Sequence, residues 1–479
     1  MMQRVYLALF SFVFTVLVWN GALAQVHSKP QKLSGETKAH VVTIPGVAPN
    51  KLVPHEDLLY VHIADALHAN DIPKLKMLLV NASPNLQGLD GTSILMLAAA
   101  TADPIPVQLI LDKGGDVNLA AADGDTALLE AAHKGAVPVM RLLVNKGESV
   151  NAADSAGVTP LIEAAHSRDP DALQYLLKHG ADVNSADKSG QSALMVAAFS
   201  ADPASLLKLL DKGVNVNAQD LKGHSALMEA AYAGRADNVE LLLNHGANFA
   251  DADKQGFTAL MVASGVGDQD CITALLAKGS DVNGQTSSGF TPLMQAAATG
   301  HTEAMRTLVD HGANIEAHTR ENSTAIVIAA YGGHQGAVQL LLNLGASVNS
   351  VDQAGHTPLY GAALAKNVDL VKLLIAEGAA VNAVTDQGFT PLMQAAFTSA
   401  PAIVEALIDS GADVNAKTKE GYTPLMQATQ DGNVECIGLL LKHGANVLAA
   451  DSKGRTALTW ATLKKRDAAA ALLKSAGGI

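Results

Sequence analysis

Asp352-Gln353-Ala354-Gly355-His356-Thr357-Pro358-Leu359 reads as a tight turn that opens a helix. Gly355 suits the left-handed backbone that such a turn needs. The Thr357 hydroxyl can accept a bond from an orphan amide at a helix start. Pro358 beside it falls in the first helical turn, where a missing N–H costs nothing. A second stretch, Gly411-Ala412-Asp413-Val414-Asn415-Ala416, follows an apolar run and leads by extended chain towards the next turn. The glycine can end one helix in a left-handed cap, so the two stretches together describe a helix pair closed by an extended finger.

The same pattern runs outward in both directions. A Gly followed two residues later by Thr or Ser recurs at Gly91, Gly124, Gly157, Gly190, Gly223, Gly256, Gly289, Gly355, Gly388, Gly421 and Gly454. Every step is 33 residues except one of 66, and Asn322 stands where the missing glycine belongs. Twelve copies follow, with the glycine at slot 4 of a 33-residue frame. Slot 6 is always Thr or Ser, slot 8 Leu or Ile, slot 11 Ala and slot 27 Gly. Leu at slot 8 with Ala at slots 11 and 12 gives a short helix one apolar face. Gly at slot 15, as at Gly135, Gly234, Gly300 and Gly432, would end that helix. A second apolar helix follows, as in Val239 to Leu243.

This pattern resembles the ankyrin repeat. The resemblance implies an all-α solenoid of stacked helix-turn-helix units with β-turn fingers. The copies are 88–120, 121–153, 154–186, 187–219, 220–252, 253–285, 286–318, 319–351, 352–384, 385–417, 418–450 and 451–479. Residues 56–87 carry the two-helix pattern without the turn glycine and read as a capping half-repeat that shields the core. Lys464, Lys465 and Arg466 make the last copy more polar, as an end cap requires. One departure from the family is systematic: slot 9, commonly His, holds Met195, Met228, Met261, Met294, Met393 and Met426. Met packing is expected to replace the helix-start bond of that His.

Residues 1–24 read as a secretory signal peptide. Arg4 precedes an apolar stretch of fifteen residues from Val5 to Trp19, and Ala22-Leu23-Ala24 offers a cleavage site before Gln25. An uncleaved anchor is the alternative, although a spanning helix needs about 20 apolar residues. Residues 25–55, with Pro30, Pro45, Pro49 and Pro54 and no periodicity, read as a flexible leader. The expectation is an exported monomer with no membrane contact after cleavage, periplasmic in the first instance and secreted as the alternative.

The formal charge is −13, or −14 without Arg4. With no basic run, an acidic chain makes a poor nucleic-acid ligand. Catalytic and phosphate-binding signatures are absent, and no stretch is left over for a catalytic domain, so neither enzyme activity nor a cofactor is expected. His179, His245, His311 and His443 share slot 26, where a His can meet the last helix carbonyls. His133 and His166 share slot 13 of adjacent copies, which leaves an opportunistic metal open there. Cys271 and Cys436 share slot 19 five copies apart, about 40–50 Å along a stack at helix spacing. Two buried thiols and no disulfide are expected.

The family's usual contact slots are 2, 3, 5, 13 and 14, on fingers and first helices that line a concave surface. Eight of the thirteen aromatics after residue 24 fall at two slots that hold only 24 of 455 residues. Phe257, Phe290, Phe389 and Tyr422 stand at slot 5, and Phe199, Tyr232, Tyr331 and Phe397 at slot 13. Two readings are compatible: these rings anchor a protein partner, or they pack along their own turns and helices. Slot 10 holds Glu130, Glu163 and Glu229 early and Gln295, Gln394 and Gln427 late. Either the N-terminal part of the groove is the more acidic, or these are ordinary solvated positions. The function expected is a protein-binding scaffold, with a secreted effector acting on host proteins, or an accessory or inhibitor of an exported enzyme, as alternatives.

Overall fold

The computed structural model describes residues 55–478. The signal-peptide and leader expectations lie outside those residues, apart from His55, which opens the first helix. The described chain is helical throughout and has no strand, only isolated bridges such as Ala186 with Ser192. It forms two compact units divided between Asp251 and Ala252. Each unit is a stack of helix pairs: an all-α repeat solenoid.

Local chemistry sets each pair. The first helix begins at slot 7, directly after the slot-6 hydroxyl, as in Ala226–Tyr232 after Ser225. In eleven of the twelve copies that hydroxyl accepts the N–H three residues on, for example Thr291 from Met294 at 3.3 Å. Thr324 is the exception, and its hydroxyl is buried without a hydrogen-bond partner. The first helix ends at slot 15 in left-handed backbone even where no glycine stands there: Ala102, Arg168, Lys366, Ser399 and Lys465 all have φ between 56° and 62°. Copy 187–219 departs from this. There Ser200 leaves the helix in extended backbone, and the buried Asn238 of the next copy donates to the Ala198 and Ser200 carbonyls at 2.9 and 2.8 Å. Asn322 takes the left-handed turn conformation (φ 61°) in place of the slot-4 glycine.

Packing is small-on-small. Leu128, Ala131 and Ala132 of helix Ala127–His133 are fully buried, as are Val139, Met140 and Leu143 of helix Val137–Asn145. Each such leucine contributes about 2 kcal/mol by leaving water. The slot-9 methionines are buried to 2% exposure or less, as their packing role requires. Cys271 and Cys436 are buried free thiols, and burial pushes Cys436 up to about 11.

Adjacent copies are also stitched along the fingers. In six copies the slot-31 asparagine donates to the slot-27 glycine carbonyl of the next copy and accepts that copy's slot-29 N–H. Asn151 bonds Gly180 at 3.1 Å and Asp182 at 2.9 Å. Asn382 bonds Gly411 and Asp413 at 2.9 and 2.8 Å. Beside this runs a main-chain bond such as Ser155 N–H to the Asp123 carbonyl, 2.7 Å. Glycine at slot 4 eases it, because a Cβ on Gly124 would lie 2.7 Å from the Ser155 nitrogen, yet the copy with Asn322 in that slot keeps the bond, Gln353 N–H to the Glu321 carbonyl at 2.7 Å.

The half-repeat ahead of the first copy forms two helices. Helices His55–His68 and Ile72–Leu78 bury Ile63, Leu67 and Leu75. They nevertheless leave Leu58, Val61, Met77 and Val80 between 44% and 67% exposed. The polar end is the last copy, where Lys464, Lys465 and Arg466 are exposed.

Candidate binding face

The slot-13 residues close the first helices, and the slot-5 residues close the fingers. In the N-terminal unit, Phe199 and Tyr232 end consecutive first helices. Their rings stack with centroids 6.4 Å apart and planes 24° from parallel. Both are half-buried, so the pair keeps exposed surface beside its mutual contact. Two copies earlier the same slot holds His133 and His166. The structure brings both to one carboxylate: Glu163 lies 2.7 Å from His133 Nδ1 and 4.0 Å from His166 Nδ1.

In the C-terminal unit, each slot-5 amide is tied to slot 1, as in Phe389 N–H to Thr385 Oγ1 at 3.0 Å. Phe257, Phe389 and Phe397 are half-buried. Phe290 is only 4% exposed and has almost no surface to offer a partner. Tyr331 packs edge-on to His356, centroids 6.0 Å apart. His356 bonds Asp352 at 2.8 Å and lies 4.7 Å from the Tyr360 ring. Tyr360 in turn donates to Gln394 Oε1 at 2.8 Å. The Tyr331 hydroxyl is buried without a hydrogen-bond partner, and burial, then Asp352 and Tyr360, holds it well above the usual phenol range. Gly361 makes room for that ring, since a Cβ there would come within 3.1 Å of the Tyr331 nitrogen and 3.3 Å of its Cγ. Tyr422 accepts from Arg455 Nη2 at 3.1 Å and packs 5.6 Å from Trp460. Arg455 itself lies over the Trp460 ring at 4.1 Å. Although burial opposes it, the Arg455 and Lys453 amides and the Arg455 guanidinium hold Asp451 below the usual carboxylate range.

The eight aromatics thus divide. Phe290 is buried, and Tyr331 and Tyr422, though half-buried, are tied to His356, Arg455 and Trp460. Phe199, Tyr232, Phe257, Phe389 and Phe397 are half-buried.

Slot 10 corrects the sequence reading. Glu163, Glu229, Gln295, Gln394 and Gln427 are between 2% and 6% exposed, so they are neither solvated positions nor an acidic groove lining. Glu130 alone of the six is half-buried. The helical period that places slots 8, 11 and 12 inside leaves slot 10 outside on a single helix. Stacking then buries it, which one helix's pattern does not reveal. Burial pushes Glu229 up to about 8, with Asp220 adding to the rise and Lys222 opposing it.

The histidine ladder behaves as slot 26 implied: His179, His245 and His311 bond the carbonyls of Tyr175, Leu241 and Thr307 at 2.7–2.8 Å. Sequence reasoning missed Glu148, a buried acid at slot 28 where Ala181, Ala247 and Ala313 stand in other copies. Its singularity among alanines is the signal that was available. Among the described residues no group of three His, Cys, Asp or Glu is placed to hold a metal, and no helix is long and apolar enough to cross a membrane.

No curated protein matches this sequence. The family model for ankyrin repeats (3 copies) does, over residues 62–154, 95–187, 151–220, 194–286, 267–352, 344–418 and 401–479. Matches that overlap from residue 62 to residue 479, across the helix pairs described above, establish that the chain belongs to the ankyrin-repeat family.

Proposed function

We propose that this chain is an exported, non-enzymatic scaffold that binds a protein partner on the face formed by its fingers and first helices. Ankyrin repeats generally mediate protein–protein contact, which supports the class. The Phe199–Tyr232 stack carries the assignment to a place. It puts two half-buried rings on consecutive first helices in a chain with few aromatics. Rings fixed by each other lose little freedom on docking, as binding anchors should. Export rests on residues 1–24, with their single Arg, apolar run and Ala-Leu-Ala end. The acidic balance, −13, disfavours a nucleic-acid partner.

The test is a matched capture from periplasmic extract with three baits: wild type, Phe199→Ala/Tyr232→Ala and Phe290→Ala. A partner of this face is retained by the Phe290 variant and weakened at least about tenfold, about 1.4 kcal/mol, by the double variant. Equal capture by all three baits, each folded by circular dichroism, would remove the face from consideration.

A further inference from the structure

The two units differ in what they bury. In the N-terminal unit Glu163 and Glu229 at slot 10 are 2% and 4% exposed, and Glu148 at slot 28 is 4% exposed. In the C-terminal unit the slot-10 polar residues are Gln295, Gln394 and Gln427, 3%, 6% and 2% exposed. Glutamate and glutamine share a shape and differ in charge. The C-terminal unit therefore shows what slot 10 accommodates when it holds a polar side chain of this length: a neutral one. Its own buried acids, Asp253 and Asp451, sit in finger turns and take amide donors, Gln255 and Phe257 for one, Lys453 and Arg455 for the other.

The three glutamates are not held alike. Glu163 has an imidazole at hydrogen-bond distance, His133 at 2.7 Å. Glu148 accepts the Leu128 N–H through Oε1 at 2.9 Å and bonds the Thr126 hydroxyl, while its Oε2 is buried with no hydrogen-bond partner. Its own N–H bonds the Leu143 carbonyl at the end of the second helix. Burial outweighs those two donors in setting its acidity. Glu229 Oε2 is likewise buried with no hydrogen-bond partner. Its Oε1 lies 3.8 Å from His224 Nδ1, beyond a hydrogen bond. Asp220, Lys222 and His224 face Glu229 from the finger of its own copy, and Tyr232 from its own helix. The preceding first helix offers the apolar Val196 at the same slot.

We propose that Glu148 and Glu229 make the N-terminal unit a pH-responsive segment, in which protonated carboxyls pack as glutamine does and ionised ones loosen the first helices that hold them. The carboxyls rise from an ordinary 4.5 to about 7 and about 8 in the folded chain, burial being the leading cause for both. A folded-state value above the unfolded one means that the folded chain holds its protons longer. The stabilisation is complete below the unfolded value and is lost as pH rises through 7 to 8. Lys222 tempers the effect at Glu229 without abolishing it; Glu148 has no such counter-charge among the leading influences on it. Loosening falls on helices Ala127–His133 and Ala226–Tyr232, which end in His133 and Tyr232. The inference stands whatever partner the chain binds.

Hydrogen exchange on the full chain tests it, read in peptides covering 127–145 and 226–244 and, as reference, 325–343. Wild type and Glu148→Gln/Glu229→Gln are compared at about pH 5.5 and about pH 8.5, with intrinsic exchange divided out. At the higher pH the wild-type peptides of the N-terminal unit should exchange at least about tenfold faster than those of the variant. The two proteins should agree at the lower pH, and the reference peptide at both. Equal protection at the higher pH, or a difference of the same size at both, overturns the proposal. Should the double variant not fold, wild type alone decides. A pH-dependent loss of protection confined to the first two peptides upholds the proposal, and one shared equally with 325–343 overturns it.

Discussion

The two units are built from one repeat with one set of caps, yet burial shifts different titratable groups in each, carboxyls in one and a half-buried imidazole in the other. The N-terminal unit hides Glu148 and Glu229, whose acidity burial weakens. The C-terminal unit hides amides at slot 10 and keeps its notable base, His301, against His334. Burial, then the neighbouring His334, lowers the affinity of His301 for a proton, and its bond to the Gly265 backbone opposes them. A lowered value has the opposite consequence: the stability that neutral His301 supports is present above its unfolded value and is lost as pH falls through the folded one. Rising pH therefore weakens one unit, and falling pH the other. Identical architecture does not mean identical response, because the response is set by a few side chains that the repeat pattern leaves free.

The comparison can be broken most forcefully by exchange at slot 10. Gln295→Glu should import the acid behaviour into the C-terminal unit, costing about 3 kcal/mol at pH near 8 and little at pH near 4.5. Urea unfolding followed at both pH values reads this, and a pH-independent cost would show that shape, not charge, governs the slot. The caps give a smaller effect, common to both units. Thr159→Ala and Thr291→Ala each remove a hydroxyl that accepts a helix amide, and each should cost about 1 kcal/mol at any pH. The same change at Thr324, which caps nothing, should cost no more than a few tenths. Smallest are the helix ends. Arg168→Gly in one unit and Lys366→Gly in the other relieve left-handed backbone at φ 59° and 57°. Both residues are exposed, and each change should raise stability by about 0.5 kcal/mol. Unequal gains in thermal unfolding would reveal a difference in backbone strain between the units that their shared geometry does not suggest.

Most of the fold was legible because it is local. A Thr before a helix, a Pro inside its first turn and a Gly after its end act over a few residues, and Asn322 could be matched to a glycine slot by phase alone. What depends on neighbouring copies was not legible. Slot 10 faces outward on its own helix and becomes interior only when the stack closes. Phe290 and Phe257 share a slot, but one is buried and the other half-buried. The Tyr331 cluster joins residues from three copies, and the absence of a side chain at Gly361 gains meaning only beside that ring. The two slots of the proposed face were visible as an enrichment of aromatics. Which rings are tied to neighbours was decided by Trp460, His356 and Arg455, residues that the enrichment did not count.

The asparagine stitching carries a consequence for how such a chain can change length. Six of these Asn read two main-chain groups of the copy ahead, 29 and 31 residues on, as Asn382 does at Gly411 and Asp413. An insertion or deletion of any other size would shift glycine and amide out of register with the amide waiting for them. Duplicating or excising whole copies restores every bond with the same partner types. The chain is thus edited like text in a fixed metre, where whole lines can be added but a stray syllable spoils the verse. Its eleven steps of 33 without one insertion are what that constraint preserves.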